Sequence, residues 1–422
     1  MKKYDESMKE AGLISRRDFL KTTAIGGAAL ATGISGPFFH ARAAQQEIRI
    51  GHLTNLSGVY AVGGPLLDKG LKLAFAQSKY KDRVKFFVED SQTKADVSVQ
   101  KALKLYEKDN VNILVGPIGG HESAALSPVL TAKKRLLVEA YGANSYLVGK
   151  DCSPYTFMLG HTTYNMTVPM APWFLKTLGN KVFLVGADYT TGRDIARFFK
   201  EAFEKIGGKV VGEFYSPLGT AEFAPYLSQI RNAKEKPNGI FGFYAGPDLV
   251  SFVRQLDEFG LKKDGYVYVS TIGAFSMTML PAMGDACVGY YDCFHSVPYL
   301  DTPQSKAFTA VWQKAYPNEV IDEFNIMGFD TGTCLIKALD AVKGDPANTE
   351  GLATALHTIE YESPRGKVKM GVNNGTIVPI YARKVTKKDG QFRFDATFLG
   401  YFGTPCGPQY EWGACKLGCP ST

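Results

Sequence analysis

The stretch NILVGPIGGHESAALSPVL, Asn112 to Leu130, passes from an apolar run through Gly-Pro-Ile-Gly-Gly into residues spaced for a helix. A strand that ends in a glycine turn and feeds a helix leaves main-chain N–H groups without acceptors, aimed past the sheet edge. Gly119 and Gly120 therefore suit an anion, either a nucleotide phosphate or a small carboxylate, unless the turn only reverses the chain. His121 opens the helix, where its ring N–H would meet a bound carboxylate. No G-x-G-x-x-G follows a strand pattern and no G-x4-G-K-[ST] occurs, which removes the nucleotide reading. Glu122 follows His121 without the second histidine of H-E-x-x-H, and there is no G-x-S-x-G elbow. The histidines at 40, 52, 121, 161, 295 and 357 lack metal-ligand spacing. Such residues fit a ligand trap better than a catalyst.

Ser15-Arg16-Arg17-Asp18-Phe19-Leu20-Lys21 precedes a mild apolar stretch at 22–39, and Ala41-Arg42-Ala43 supplies a small-x-small cleavage pattern. Residues 1–43 thus read as a twin-arginine export signal. No cysteine follows the cleavage site to take a lipid, and no later run reaches about 18 apolar residues. The mature chain is expected to be soluble in the periplasm. The signal takes +3 of the formal charge of +7, leaving about +4 with no basic run, which argues against nucleic acid as a partner.

In an oxidising compartment the 7 cysteines invite pairing. Cys406, Cys415 and Cys419 crowd the tail, so at least one disulfide should staple it, the pair being open; a metal site there is the weaker alternative, because C-x3-C with no nearby His is poor zinc spacing. Cys287 and Cys293 lie on one extended stretch that would not bridge easily, and Cys334 reads as a buried apolar filler.

The elements that must position these residues alternate. Strand patterns at 48–54, 83–89, 112–116 and 136–140 are interleaved with helix patterns at 65–79, 95–108 and 121–134. A second series follows: strands at 181–187, 209–215, 239–244 and 266–271, helices at 193–206, 223–233 and 249–259, and a short helix near Met277. This order predicts two α/β units in tandem, each with a mostly parallel sheet covered on both faces. Helix patterns at 305–316, 324–342 and 352–359 lack strands of their own and must dock on an existing sheet. Strands at 376–385 and 391–402 read as a hairpin.

From Ile48 to about Phe402 the chain resembles the extracytoplasmic solute-binding proteins of type I fold, in the Leu/Ile/Val-binding branch that serves ABC importers. The resemblance rests on IRIGHLTNLSGVYAVGG, on VEDSQTKADVSVQKALKLYEKDNVNILVGPIGG, on LLVEAYGAN and on VFLVGADYTTGRDIARFFKEAFEKIGGKVVGE, in that order. It implies two Rossmann-like lobes joined by a three-crossover hinge, with crossovers near 158–163, 290–297 and 370–374. Lobe 1 would be 47–162 plus 292–371, lobe 2 would be 163–291 plus 372–404, and a Cys-rich tail would fill 405–422.

By the same resemblance, first-lobe ligand contacts fall on Gly119, Gly120 and His121, and on Tyr141, Gly142 and Ala143. Glycines stand where the family often has serine or threonine, which leaves main-chain amides as the donors. The second-lobe aromatic position falls on Thr191, with Tyr189 the nearest ring, and the acid that pairs with an amino-acid ammonium maps to Thr271 and Ile272. Either another carboxylate serves, from Glu139, Asp188 or Asp248, or the solute has no ammonium. Tyr60, Tyr141, Tyr189 and Tyr244, with Phe275, would line the cleft with rings. The resemblance implies a monomeric, non-enzymatic receptor without cofactor, carrying a small carboxylate or amino acid to a membrane ABC permease. A sensor of the same fold reporting to a membrane receptor is the alternative.

Overall fold

The computed structural model of the chain describes residues 46–419 apart from 59 and 143, so the export signal and Ala143 lie outside the described residues. The first sheet is built from β1 (Ile48–Thr54), β2 (Val84–Asp90), β3 (Ile113–Val115), β4 (Leu136–Glu139) and β5 (Thr156–Met158), all parallel, in the order β2-β1-β3-β4-β5. Helices α1 (Gly63–Ala76), α2 (Ala95–Glu107) and α3 (Gly120–Ala132) make the crossovers. Because strand side chains alternate, Ile113 and Val115 enter one apolar cluster while Leu114 enters another on the opposite face.

After β5 come α4 (Thr163–Thr167) and α5 (Met170–Thr177), two helices that the sequence reading missed; Pro169 and Pro172 break the periodicity into pieces too short to stand out. The second sheet then forms from β6 (Lys181–Ala187), β7 (Lys209–Ser216), β8 (Gly239–Phe243), β9 (Tyr268–Val269) and β10 (Tyr291–Phe294), with helices α6 (Thr190–Lys205), α7 (Ala224–Arg231), α8 (Gly246–Glu258) and the one-turn α9 (Leu280–Met283). In α6 the residues Ile195, Phe199 and Phe203 recur at helical spacing on the buried face, and Phe199 stacks on Phe241 of β8 with centroids 3.7 Å apart.

The chain returns to the first sheet through α10 (Pro303–Ala315), α11 (Glu323–Ala341) and α12 (Thr349–His357). Helix α11 lies on α1 at a glycine crossing: a Cβ at Gly70 would stand 2.1 Å from the Asn325 carbonyl oxygen, and one at Gly328 would stand 2.0 Å from that of Leu67. A further hairpin, β11 (Glu360–Ser363) and β12 (Gly366–Met370), escaped the sequence reading and joins the start of β13 (Thr376–Lys388), which pairs along its length with β14 (Gln391–Phe402). The second sheet therefore runs β11-β12-β13-β10-β9-β8-β6-β7. The result is α/β, two lobes joined by three crossing segments: the first sheet is all parallel as expected, whereas the second is parallel from β7 to β10 and antiparallel where β11, β12, β13 and β14 join it.

Two of those segments, at Leu159 and His295, are bound to each other by Arg365, which is fully buried, and the third is tied to the first where Met158 N donates to the Asn374 carbonyl at 2.8 Å. Arg365 donates to Asp330 Oδ2 of α11 (Nε, 2.7 Å), to His295 Nδ1 (3.0 Å) and to the Leu159 carbonyl (2.9 Å). Since His295 Nδ1 accepts, its Nε2 carries the proton that reaches His161 Nδ1 at 3.1 Å. Burial and the nearby guanidinium push His161 down to about 3, so both rings are neutral.

The tail holds two disulfides, Cys406–Cys419 and Cys152–Cys415. Pairing was expected; Cys152 as a partner 263 residues away was not. With all three tail cysteines oxidised, the metal alternative is removed. Cys287, Cys293 and Cys334 are buried free thiols.

Candidate functional site

The two first-lobe turns lie side by side at the carboxyl ends of β3 and β4, where a doubly wound sheet presents its loops. Asn144 Nδ2 donates to the Gly120 carbonyl at 3.1 Å and ties one turn to the other. The first N–H groups of α3 have no intrahelical acceptor. The turns are not bare amides, however, and this corrects the sequence reading. Glu122 folds behind Gly119, its Oε2 accepting from Asn55 Nδ2 (3.0 Å) and its Oε1 from Ser98 Oγ (2.8 Å). A side chain at Gly119 would collide with that carboxyl, the hypothetical Cβ lying 2.3 Å from Oε2. Glu139 sits likewise behind Gly142, 2.1 Å from where a Cβ would be, and accepts from Ser123 Oγ at 3.2 Å. The glycines are required because the chain's own acids fill the space a side chain would need. Burial, reinforced by the Glu122 charge and opposed by its hydrogen bonds, raises the Glu139 carboxyl well above the usual carboxylate range.

His121 is exposed, and its Nε2 lies 3.2 Å from the Thr93 carbonyl, so that nitrogen is engaged within the chain. Tyr141 is buried and stacks on Phe324 (4.5 Å, 16°), with Phe294 at 5.6 Å and His161 edge-on at 5.0 Å. Tyr60 and Tyr189, from opposite lobes, are both half-buried and close enough for Tyr60 to oppose the ionisation of Tyr189; Thr191 lies against the Tyr189 phenol. Tyr60, Tyr141 and Tyr189 thus face the junction.

Other expected residues do not. Tyr244 belongs to the second lobe's interior, in contact with Phe223 and Phe252, its hydroxyl at 3.3 Å from Ser216 Oγ. Phe275 is fully buried beside Tyr268. The Thr271 hydroxyl donates to the Met166 carbonyl at 2.8 Å. Ile272 adopts φ +56°, a left-handed conformation costly for a β-branched residue, directly before Gly273 at φ +64°. Of the three candidate acids, Asp188 pairs with Arg193 at 2.8 Å, Asp248 accepts from Gly219 N at 2.9 Å, and Glu139 is the buried acid described above.

Sequence reasoning missed the amino end of α11. Asp322 caps it in a reciprocal capping box with Asn325, and its Oδ2 also accepts from Thr278 N (3.0 Å) and Thr278 Oγ1 (2.9 Å) across the junction. The D-x-x-N spacing of that cap was visible, but nothing in it pointed to the other lobe. Beside it, Arg383 grips Asp292 through Nε (2.8 Å) and Nη2 (2.6 Å) and also donates to the Ser296 and Phe275 carbonyls.

Loops from two sheets meeting over a ring cluster, with a three-stranded crossing behind, are what a periplasmic binding protein would show. The profile of the periplasmic binding protein family matches residues 47–391, and that of the twin-arginine translocation signal matches residues 13–33. The chain belongs to the periplasmic binding protein family. It is exported to the periplasm and is an ABC transporter substrate-binding protein. It is 29% identical over 349 residues to the Leu/Ile/Val-binding protein homolog 6 of Brucella melitensis, covering 81% of this chain and 88% of that one. An ABC transporter substrate-binding protein from Sphaerobacter thermophilus superposes with a TM-score of 0.79 at 28% identity, over 85% of this chain and 98% of the other. A solute-binding protein from R. palustris, in complex with 4-hydroxybenzoate, does so with a TM-score of 0.77 at 27% identity, over 85% and 97%.

Proposed function

We propose that this protein captures a small carboxylate-bearing solute, aromatic or branched aliphatic, by closing its lobes on it, and hands it unaltered to an ABC permease. The moving halves are taken as 47–162 with 292–371, and 163–291 with 372–404, so that β10 and the β11–β12 hairpin, hydrogen-bonded to β13 of the second sheet, form the seam between them. The observation that carries the reading is the ring cluster at the junction: Tyr141 on Phe324 and Phe294, with Tyr60 and Tyr189 from either side. Ring faces favour an apolar body, and planar ones most. The 4-hydroxybenzoate in the R. palustris relative and the name of the Brucella relative support the two solute shapes.

The solute's carboxylate is assigned to the amino end of α3, at Gly120 and His121, flanked by Tyr60. Closure brings Asp322 to Thr278, a contact that exists only when the halves meet, so a solute touching both halves biases the equilibrium by its differential affinity.

Thermal unfolding and X-ray scattering of the mature chain with benzoate, 4-hydroxybenzoate, leucine and 4-methylpentanoate test this. At least one solute should raise Tm, by an amount equivalent to about 2.7 kcal/mol at a hundred times Kd, and should shrink the radius of gyration. No effect from any small carboxylate would overturn the proposal.

A further inference from the structure

Four buried ionisable side chains crowd the junction beside Tyr141: Asp292, Asp322, Glu323 and Arg383, each fully enclosed. Three are engaged within the chain. Both Asp292 oxygens are held by Arg383, and its Oδ2 also accepts from Phe275 N at 3.0 Å. Arg383 also donates to the Ser296 and Phe275 carbonyls. Asp322 is occupied by its own helix and by Thr278. Glu323 differs: neither of its oxygens has a hydrogen-bond partner among the described residues, and neither reaches solvent.

A buried carboxyl with both oxygens unsatisfied is costly, and it persists where something outside the chain completes it. The groups that act on it are Asp322, Arg383, Asp292 and its own main-chain N–H, which approaches the carboxyl without meeting hydrogen-bond geometry, and it in turn acts on Tyr141. The one cation among them, Arg383, is hydrogen-bonded to Asp292 and not to Glu323, so Glu323 makes no ion pair among the described residues. It is also rigidly placed. It opens α11, which the glycine crossing locks onto α1, and the next residue is Phe324, stacked on Tyr141.

We propose that Glu323 reads the solute, accepting a hydrogen bond from a donor, hydroxyl or ammonium, on the part of the solute away from its carboxylate. The inference rests on the receptor reading above and narrows it: the solute is an acid that carries a second, donating group. Without solute, burial holds Glu323 protonated, its carboxyl raised well above the usual range with the Asp322 charge adding to the effect. With solute, the donor takes the place of the missing partner. None of the acids first considered for this role is as free, since Glu139, Asp188 and Asp248 each have a partner in the chain.

Calorimetric titration of the mature protein with two matched pairs tests the assignment: 4-hydroxybenzoate against benzoate, and leucine against 4-methylpentanoate. The wild type should bind the donor-bearing member of one pair at least about tenfold tighter. Glu323→Leu should bring that ratio to within about threefold of one, by weakening the donor-bearing solute only, and should raise the Tm of the solute-free protein. Glu323→Gln keeps the shape and serves if the leucine variant does not fold; it should retain most of the preference for a hydroxyl and lose that for an ammonium. Discrimination that survives in both variants, or a wild type that binds both members of each pair alike, would overturn the assignment and leave the receptor reading intact. Failure of the wild type to bind any of the four would overturn both.

Discussion

At the scale of single residues, the site is governed by acids that the protein has removed from water. Glu139 holds a proton in the folded chain that it would lose in the unfolded one once pH passes the ordinary carboxylate value near 4.5. Its folded value is raised, so its contribution is intact below that point and declines as pH rises towards the folded value. Glu139→Gln copies the protonated form, so in urea titrations the variant should gain on the wild type as pH rises above the ordinary carboxylate value near 4.5. A pH-independent difference would contradict the raised value. Glu122 makes a different prediction. Its carboxyl lies behind the amide turn assigned to the solute's carboxylate, and like charges a few ångströms apart at a partly screened site oppose each other by about 1–3 kcal/mol. Glu122→Gln should therefore tighten carboxylate binding by about tenfold in calorimetry. How legible was this in the sequence? Gly119, Gly142, Tyr60, Tyr141 and Tyr189 were found from the spacing of strand ends and from family resemblance, and they do gather at the junction. Glu323 was not, because an acid in the first turn of a helix already has a bland explanation in the helix dipole. Only its lack of a partner in three dimensions makes it unusual.

At the scale of elements, position is set by how closely helices can approach. The crossing of α1 and α11 depends on Gly70, Gly328 and Gly332, each presenting bare backbone to the other helix. At Gly328 a methyl would stand 2.0 Å from the Leu67 carbonyl, and since backbone cannot swing aside the helices must separate. Gly328→Ala is expected to cost about 1–3 kcal/mol in urea unfolding. It should also weaken solute binding, because Asp322, Glu323 and Phe324 ride on the displaced end. A variant as stable as the wild type would show that the crossing has slack. Long elements with strong periodicity were read to within a few residues, as at Lys181–Ala187 and Ala95–Glu107. The losses have physical causes. Thr163–Thr167 and Met170–Thr177 are short and proline-interrupted, and the hairpin Glu360–Met370 alternates buried Tyr361 and Val368 with exposed Glu and Lys over strands of 4 and 5 residues, too brief for periodicity to register.

At the scale of the whole molecule, the order of strands and helices carried the two-lobe architecture, because alternation of this kind leaves few ways to cover a parallel sheet. It did not carry the tail, whose path is set by covalent and aromatic contacts between residues far apart in sequence. Cys415 is bonded to Cys152, which lies between β4 and β5 of the first sheet, and Lys150 N donates to the Trp412 carbonyl at 2.6 Å. The same Trp412 ring packs edge-on against Tyr164 of α4 (5.0 Å) and Phe198 of α6 (5.7 Å), and Glu411 pairs with Arg197 of α6 at 2.8 Å. The tail is thus a strap, bonded to one half and packed on the other, beside the crossing segments. If the halves open about those segments, the strap must either stretch or release its aromatic grip on the second half, so it should limit the opening. Removing the long-range bond in a Cys152→Ser, Cys415→Ser variant should cost about 2–4 kcal/mol in unfolding, since that cross-link closes a very long loop of the unfolded chain. The same variant should show a larger radius of gyration than the wild type when free of solute and an equal one when saturated. The Cys406–Cys419 bond closes a span of only 13 residues within the tail, so its removal should leave the solute-free radius unchanged. Equal scattering from all three solute-free proteins would mean that the crossing segments alone, clamped by Arg365, set how far the halves part.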